Sequence, residues 1–412
     1  MTKKTISVIC AAALAVTGLS GCEKNETSVS FEDNLPVVRL ALRDGIYADV
    51  IEKSLEEYEE THGVHLLMER LSEDELHSAV LGESESGDEY DLCMVDGSWM
   101  AECVQKKTLS SLTDLGYEMD DDIIPATKEV CYQGGEAYLV PFYGNVTVLL
   151  YNRQLLEKAG YDPDSLTLED MLTVCEETAS EGNLGFMYRG DSNNNYVVDF
   201  LPILLSYGGW VVDSDNNPTV DTSEFKEAME YYLKLIATGR SEQRDDLVIA
   251  IANGAAVMAV AWPGWYTPSK NSSADYCALS GKATASSVAN NANVYGIWTL
   301  GVTAKSSQKE KAEEVLEYLM DSEVQKASVS YGGVPCRYSS LTDSAVLEKY
   351  PQYEEVRDAL ENGIYRPIMV EWPDMYGILG AKMADIIDGN LSVEEGLKQA
   401  QQELEALPGL KS

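Results

Sequence analysis

Positive charge is scarce in this chain. Its 412 residues hold 30 lysines and arginines against 69 aspartates and glutamates, a formal net charge of −39. A surface this acidic is repelled by phosphate backbones, which excludes nucleic acid as a partner, and it argues against a polybasic membrane patch. Long apolar runs are absent beyond the first 21 residues. The longest candidate, Leu247 to Trp262, has 16 residues and is interrupted by Asn253-Gly254, too short to cross a bilayer. It reads instead as the end of a helix followed by a buried strand, Ala255 to Ala261. The signatures Gly-x-Ser-x-Gly, His-Glu-x-x-His and the phosphate loop do not occur. Histidine is limited to three residues, and His62 and His65 have no third ligand group for zinc. Asp213, Asp215, Asn217, Asp221 and Glu224 have the spacing of a calcium loop, but Pro218 stands where that loop needs glycine for its sharp turn. No metal and no cofactor is expected.

The N-terminus is informative. Lys3 and Lys4 precede an apolar stretch from Ile6 to Leu19, and the run Leu19-Ser20-Gly21-Cys22 supplies small residues before a cut, the pattern of a signal peptide. A cysteine directly after such a cut resembles a bacterial lipobox. That resemblance implies removal of residues 1–21, lipidation of the Cys22 thiol, and a chain held at the outer face of the cytoplasmic membrane. Residues 22–35 are polar and acidic and read as a flexible tether. Export permits disulfides. The remaining cysteines (93, 103, 131, 175, 277 and 336) are scattered without a Cys-x-x-Cys pair, and several sit in apolar runs such as Leu92-Cys93-Met94-Val95. Spacing does not reveal pairing; reduced, buried thiols are expected.

The length exceeds one typical domain and suggests two lobes, each with its own core. Val37 to Leu42 reads as a strand, Asp49 to Thr61 as an amphipathic helix, Val64 to Met68 as a strand, Glu73 to Leu81 as a helix and Leu92 to Val95 as a strand. This alternation predicts an α/β chain with a parallel sheet. Further helices are expected over Leu166–Ala179, opened by the cap Thr167-Leu168-Glu169-Asp170, and over Phe225–Thr238, Lys309–Met320 and Val393–Leu404.

Several segments resemble a known family when taken in order. They are Pro141-Phe142-Tyr143-Gly144-Asn145, then Leu149-Leu150-Tyr151-Asn152-Arg153, then Leu156-Glu157-Lys158-Ala159-Gly160 and the Thr167 cap. Leu204 to Gly209, Ala252 to Met258 with Trp262-Pro263-Gly264-Trp265, Lys305 to Met320 and Asn390 to Glu403 follow in register. Together they resemble the extracellular solute-binding proteins of ABC importers, family 1, which carries sugars and oligosaccharides. Leu168 stands where the family more often has Trp, and Gly396 where it usually has Ala.

The resemblance implies a two-lobe, periplasmic-binding-protein-like α/β fold with a hinge and a central ligand cleft. The lobes would be discontinuous: 36–143 with 293–336, and 144–292 with 337–412. It also implies that the chain captures a mono- or oligosaccharide by hinge closure and delivers it to the transmembrane subunits of an ABC permease, as a monomer and without catalysis.

A sugar cleft needs flat apolar faces and a few aimed polar groups. The chain has six Trp and 24 Tyr but only five Phe, so most of its aromatics pair an apolar body with a polar edge. Trp262 and Trp265 follow a buried strand, where the family often places a stacking aromatic. The segment Arg366 to Pro373 reads as a loop before a helix Met375–Ile387, and in the family this loop reaches the cleft, which makes Arg366, Trp372 and Tyr376 candidates. Tyr143 and Asn145 lie on the crossing strand, where the family puts a polar ligand contact. In open α/β sheets ligands gather beyond the carboxyl ends of strands. That rule selects Arg43, Asp44 and Tyr47 after the first strand, and Asp96, Ser98 and Trp99 after Leu92–Val95. Asp44 and Asp96 read equally well as helix caps. Trp298 flanks a later strand. Two alternatives stay open: the same fold binding a polyamine, a polyol phosphate or a metal complex, or a surface glycosidase working with paired carboxylates.

Overall fold

A computed structural model describes residues 35–83, 89–190, 192–268, 271–279 and 292–410. The expected signal peptide, Cys22 and all of the expected tether except Leu35 lie outside these residues.

In chain order the strands that build the fold are β1 (Val37–Arg43), β2 (His65–Leu71), β3 (Leu92–Asp96), β4 (Val140–Tyr143), β5 (Val148–Asn152) and β6 (Leu184–Phe186). They continue with β7 (Ala256–Ala261), β8 (Ala274–Cys277), β9 (Val294–Tyr295), β10 (Trp298–Val302) and β11 (Ile364–Tyr365). The first sheet has the order β2-β1-β3-β10-β4 and the second β8-β5-β7-β6. β3 is buried along its whole length, which is why Leu92-Cys93-Met94-Val95 shows no alternation: both faces are covered.

Strand direction positions the site. β1, β2 and β3 run parallel, so Arg43 and Asp96 leave the sheet at the same end. β10 is antiparallel to both of its neighbours and begins at that end, with Trp298 opposite Asp96 on one side and Tyr143 on the other. In the second sheet β6 and β7 are parallel and β5 is antiparallel to β7, so Val148 lies beside Ala261. The start of β5 and the segments after β6 and β7 therefore share one end of that sheet.

Three chain segments pass between the sheets, and they are hydrogen-bonded to one another. Gly296 N–H donates to the Asn145 carbonyl at 2.9 Å and Thr147 N–H to the Val294 carbonyl at 3.0 Å. The Thr147 hydroxyl accepts from Val294 N–H, while the Asn293 amide donates to the Thr147 carbonyl. β9 pairs in parallel with β11, which ties in the third segment.

The structure revises three sequence expectations. Residues 337–362 stay with the first sheet, so the last crossing comes at 363–366 rather than after 336. Buried Arg337 binds Asp120 and Asp122, and Tyr353, Val356 and Leu360 join the core that contains Leu40 and Leu300. The helix expected over 49–61 is two helices, Ile46–Ser54 and Tyr58–His62. Glu56, Glu57, Glu59 and Glu60 fall at repulsive three- and four-residue spacings, which weakens a continuous helix there. The helix expected from Met375 begins at Trp372, with Pro373 in its first turn, where a missing N–H costs nothing.

All six cysteines between 93 and 336 are buried and free. Burial pushes the thiols of Cys103 and Cys336 up to about 12. A thiolate is the reactive form, so these six should resist an aromatic disulfide reagent in the native protein and react only once denaturant is added. Rapid native labelling of any of them, mapped by mass spectrometry, would contradict this packing.

Candidate functional site

One cavity of about 590 Å³ opens between the facing ends of the two sheets. Its first-lobe wall begins at the turn after β1. Gly45 adopts φ 96°, a left-handed conformation that favours glycine, and its N–H donates to Asp44 Oδ1 at 2.8 Å. The following helix places Tyr47 inward. Its ring stands edge-on to Tyr143, with centroids 4.9 Å apart, and lies 5.5 Å from Trp298. Asn145 Nδ2 donates to the Tyr47 hydroxyl at 3.2 Å. Burial raises the Tyr47 phenol above its ordinary range, so it stays neutral.

Asp96 anchors the floor. Its carboxylate caps the short turn Gly97–Trp99 by accepting from Ser98 N–H at 2.9 Å and the Ser98 hydroxyl at 2.7 Å. The same carboxylate accepts twice from Arg366 Nη2, at 2.8 and 2.7 Å. The cap and site readings of Asp96 therefore coexist. Both partners are at least nine-tenths buried. Burial favours deprotonation of the Arg366 guanidinium, but the Asp96 charge outweighs it and holds the group firmly protonated.

The second-lobe wall carries the indoles. Trp262 and Trp265 bracket Pro263-Gly264 in a tight turn held by buried Tyr276 on β8. The Tyr276 hydroxyl accepts from Tyr266 N–H at 2.8 Å and faces the carbonyls of Trp262 and Tyr266, at 3.1 and 3.0 Å, as acceptors for its proton. Two glycines give the indole turn its space. A Cβ on Gly264 would lie 2.2 Å from the Tyr143 hydroxyl, and one on Gly296 would lie 2.9 Å from the Trp262 ring. Arg189, three residues past β6, sets its guanidinium carbon 5.0 Å from the centre of the Trp265 ring, a cation–π distance, and is bound by fully buried Asp199. Tyr376 donates its hydroxyl to the Asn194 carbonyl at 3.0 Å.

Of the residues singled out from sequence, Asp44, Tyr47, Asp96, Asn145, Trp262, Trp265, Trp298, Arg366 and Tyr376 line this cavity. Trp99, Tyr143 and Trp372 do not. Trp99 is buried behind the floor, edge-on to Trp298. Tyr143 donates its hydroxyl to the Gly332 carbonyl beneath the indole turn. Trp372 is 2 % exposed and belongs to the second core, its ring 5.3 Å from Tyr376. Each of the three supports a lining ring rather than facing the cavity. Sequence reading missed Arg189, Glu73, Gln243 and Arg244, all in the lining. Arg189 and Glu73 follow strand ends, so the carboxyl-end rule applied to every strand would have found both. Gln243 and Arg244 open a helix and carried no such signal.

The family model for the bacterial extracellular solute-binding proteins matches residues 44–326. The chain belongs to this family. The solute-binding chain is also similar in fold to maltose-bound MalE3 of T. maritima, with 22% identity, a TM-score of 0.77, and 90% of this chain and 99% of that one covered. It is similar to an ABC transporter solute-binding protein of Agrobacterium radiobacter K84 in complex with ribitol, with 22% identity, a TM-score of 0.78, and 90% and 98% coverage. Both are two-lobe binding proteins, and the α/β fold with its central cleft is the one expected. A probable amino-acid ABC transporter periplasmic-binding protein of Sinorhizobium fredii is 22% identical over 242 residues, which are 56% of this chain and 54% of that relative. The chain thus spans about half the length of that relative. The family is one of binding proteins and not of enzymes. Among the described residues no helix is long and apolar enough to cross a membrane.

The buried pair on the floor makes a quantitative expectation. Asp96→Asn leaves a buried guanidinium without its counter-charge and should destabilise the ligand-free protein by about 3–5 kcal/mol. Urea unfolding measures this; a loss well under about 1 kcal/mol would mean that water, not Asp96, satisfies Arg366.

Proposed function

We propose that this solute-binding protein captures a carbohydrate, a mono- or oligosaccharide, outside the cytoplasmic membrane and hands it to the transmembrane subunits of an ABC permease. The observation that carries the reading is the pairing of surfaces in one cavity. Indoles of Trp262, Trp265 and Trp298 and the Tyr47 ring offer apolar faces for the C–H sides of a pyranose, while Asp44, Asp96, Asn145 and Tyr376 offer polar atoms for its hydroxyls. The volume suits a small ligand rather than a polymer. The structural relatives named above were solved with maltose and with ribitol, which agrees with a polyhydroxylated ligand.

Capture proceeds by hinge closure about the three crossing segments, since rotation there brings the indole wall towards the Asp96 wall without breaking either sheet. Ligand selects the closed state to the extent that it touches both walls at once. Lipidation of Cys22 would keep the monomeric chain beside its permease, with residues 22–35 as the tether.

Thermal unfolding of the mature chain against sugars, polyols, polyamines and polyol phosphates tests the reading. A ligand at about 100 times its Kd adds about 2.7 kcal/mol, a shift of several degrees. A shift with a neutral sugar supports it, and a shift confined to a polyamine or a phosphate ester refutes it. With the stabilising sugar in hand, Trp265→Ala should weaken binding by about 1–3 kcal/mol by titration calorimetry. Undiminished affinity would remove that ring from the stacking surface.

A further inference from the structure

Four arginines line the cavity, which at first sight suits a phosphate or a carboxylate. Their partners contradict that impression. Arg366 is held by Asp96, Arg189 by Asp199, and Arg244 Nε donates to Asp245 Oδ1 at 2.7 Å. Among the described residues Arg43 alone of the four has no carboxylate partner; its Nη1 donates to the Asp44 carbonyl, at 3.3 Å. The positive charge of the cavity is thus largely neutralised within the protein before any ligand arrives.

Glu73 stands in the opposite condition. Glu73 opens the helix Glu73–Val80, but the capping of that helix is done by its neighbours: Ser72 accepts from Glu75 N–H and the Glu75 carboxylate accepts from Ser72. Among the described residues no side chain or backbone group hydrogen-bonds or ion-pairs with the Glu73 carboxylate, and it faces the cavity. Its side chain is open to solvent at the cavity mouth, and desolvation by the nearby walls, and then the Asp96 charge, raise its pKa. Asp74 acts in the same direction, while Arg366 and Arg43 oppose. The Tyr47 and Tyr376 phenols also feel its charge. Water can donate to this carboxylate while the cavity is open; a ligand that displaces that water leaves a costly unsatisfied carboxylate unless its own hydroxyls donate instead.

We infer that Glu73 selects the ligand class: its carboxylate accepts hydrogen bonds from hydroxyls of an uncharged polyhydroxylated ligand and turns away phosphate and carboxylate groups from the same position. This rests on the carbohydrate reading and sharpens it, because the cavity then discriminates a sugar or polyol from its phosphorylated form. The indole wall cannot do so, since an aromatic face is indifferent to a remote phosphate. Discrimination arises on the first-lobe side, where an anion would meet Glu73, Asp74 and Asp44 with only Arg43 uncommitted.

The test compares the wild-type protein with Glu73→Gln, using glucose, maltose, mannitol and ribitol as neutral probes and glucose 6-phosphate and mannitol 1-phosphate as anionic ones. Calorimetry across pH gives the affinities, and unfolding of the ligand-free proteins confirms that the variant folds. The neutral probe that binds the wild type should bind the variant roughly tenfold more weakly or worse, with the preference over its phosphate reduced. Wild-type affinity should fall as pH drops through the raised Glu73 pKa, because the protonated carboxyl loses acceptor capacity. The variant should lack that pH dependence. Equal affinity of both proteins for a neutral probe, with the same pH profile, overturns the role of Glu73 and leaves the carbohydrate reading standing. Wild-type binding confined to the phosphorylated probes overturns both.

Discussion

The three crossing segments are the constraint on which the rest depends. Each passes singly between the two sheets, with Val146, Val294 and Tyr295 buried in the cores beside them. They are held by one another. The ladder from Gly296 to Asn145, from Thr147 to Val294 and from β9 to β11 leaves their backbone groups paired in a region where burial would otherwise make them costly. In the hinge closure proposed above, this narrow ladder is the axis about which the lobes turn. The same segments carry Asn145, Gly296 and Arg366 to the cavity, so the proposed axis and part of the cavity wall are the same residues.

The Asp96–Arg366 pair joins that axis to the first sheet. A buried ion pair is weak evidence for added stability, since desolvation consumes most of what Coulomb attraction returns. Its value here is positional. The carboxylate is already committed to the turn Gly97–Trp99 through Ser98, and by accepting Arg366 as well it fixes where the last crossing lies against β3. A floor built this way presents polar edges in set directions.

The two walls divide recognition between them. On the second-lobe side, Tyr276 holds the indole turn and two glycines make room for it, so Trp262 and Trp265 are presented as rigid faces. Rigid rings lose little entropy on binding, and they offer large apolar contact area. On the first-lobe side the acids Asp44, Glu73, Asp74 and Asp96 stand beside Arg43, Tyr47 and Trp298. The acidity of the chain as a whole says nothing about this balance. What matters inside the cavity is which charges are already paired, and pairing depends on neighbours supplied by distant parts of the chain: Asp96 and Arg366 are 270 residues apart.

Much of the α/β alternation was legible in the sequence, because strands buried on both faces and amphipathic helices carry periodicities that depend only on local sequence. The strand at Leu92, the helix at Lys309 and the strand ending at Ala261 appear where patterning placed them. The rule that ligands gather at strand carboxyl ends was enough to bring Asp44, Tyr47 and Asp96 to one place, and motif resemblance brought Trp262 and Trp265. What patterning could not settle was which face of a ring meets solvent. Trp99, Tyr143 and Trp372 sit beside lining residues in sequence or in space, yet point into the cores. Nor could it show that residues 337–362 stay with the first lobe, since that depends on Arg337 meeting Asp120 and Asp122, more than 200 residues earlier. Local periodicity and turn chemistry determined the elements and their order. Tertiary structure alone decided which charges are neutralised and which rings line the cavity, because both are set by contacts between residues that the sequence keeps far apart.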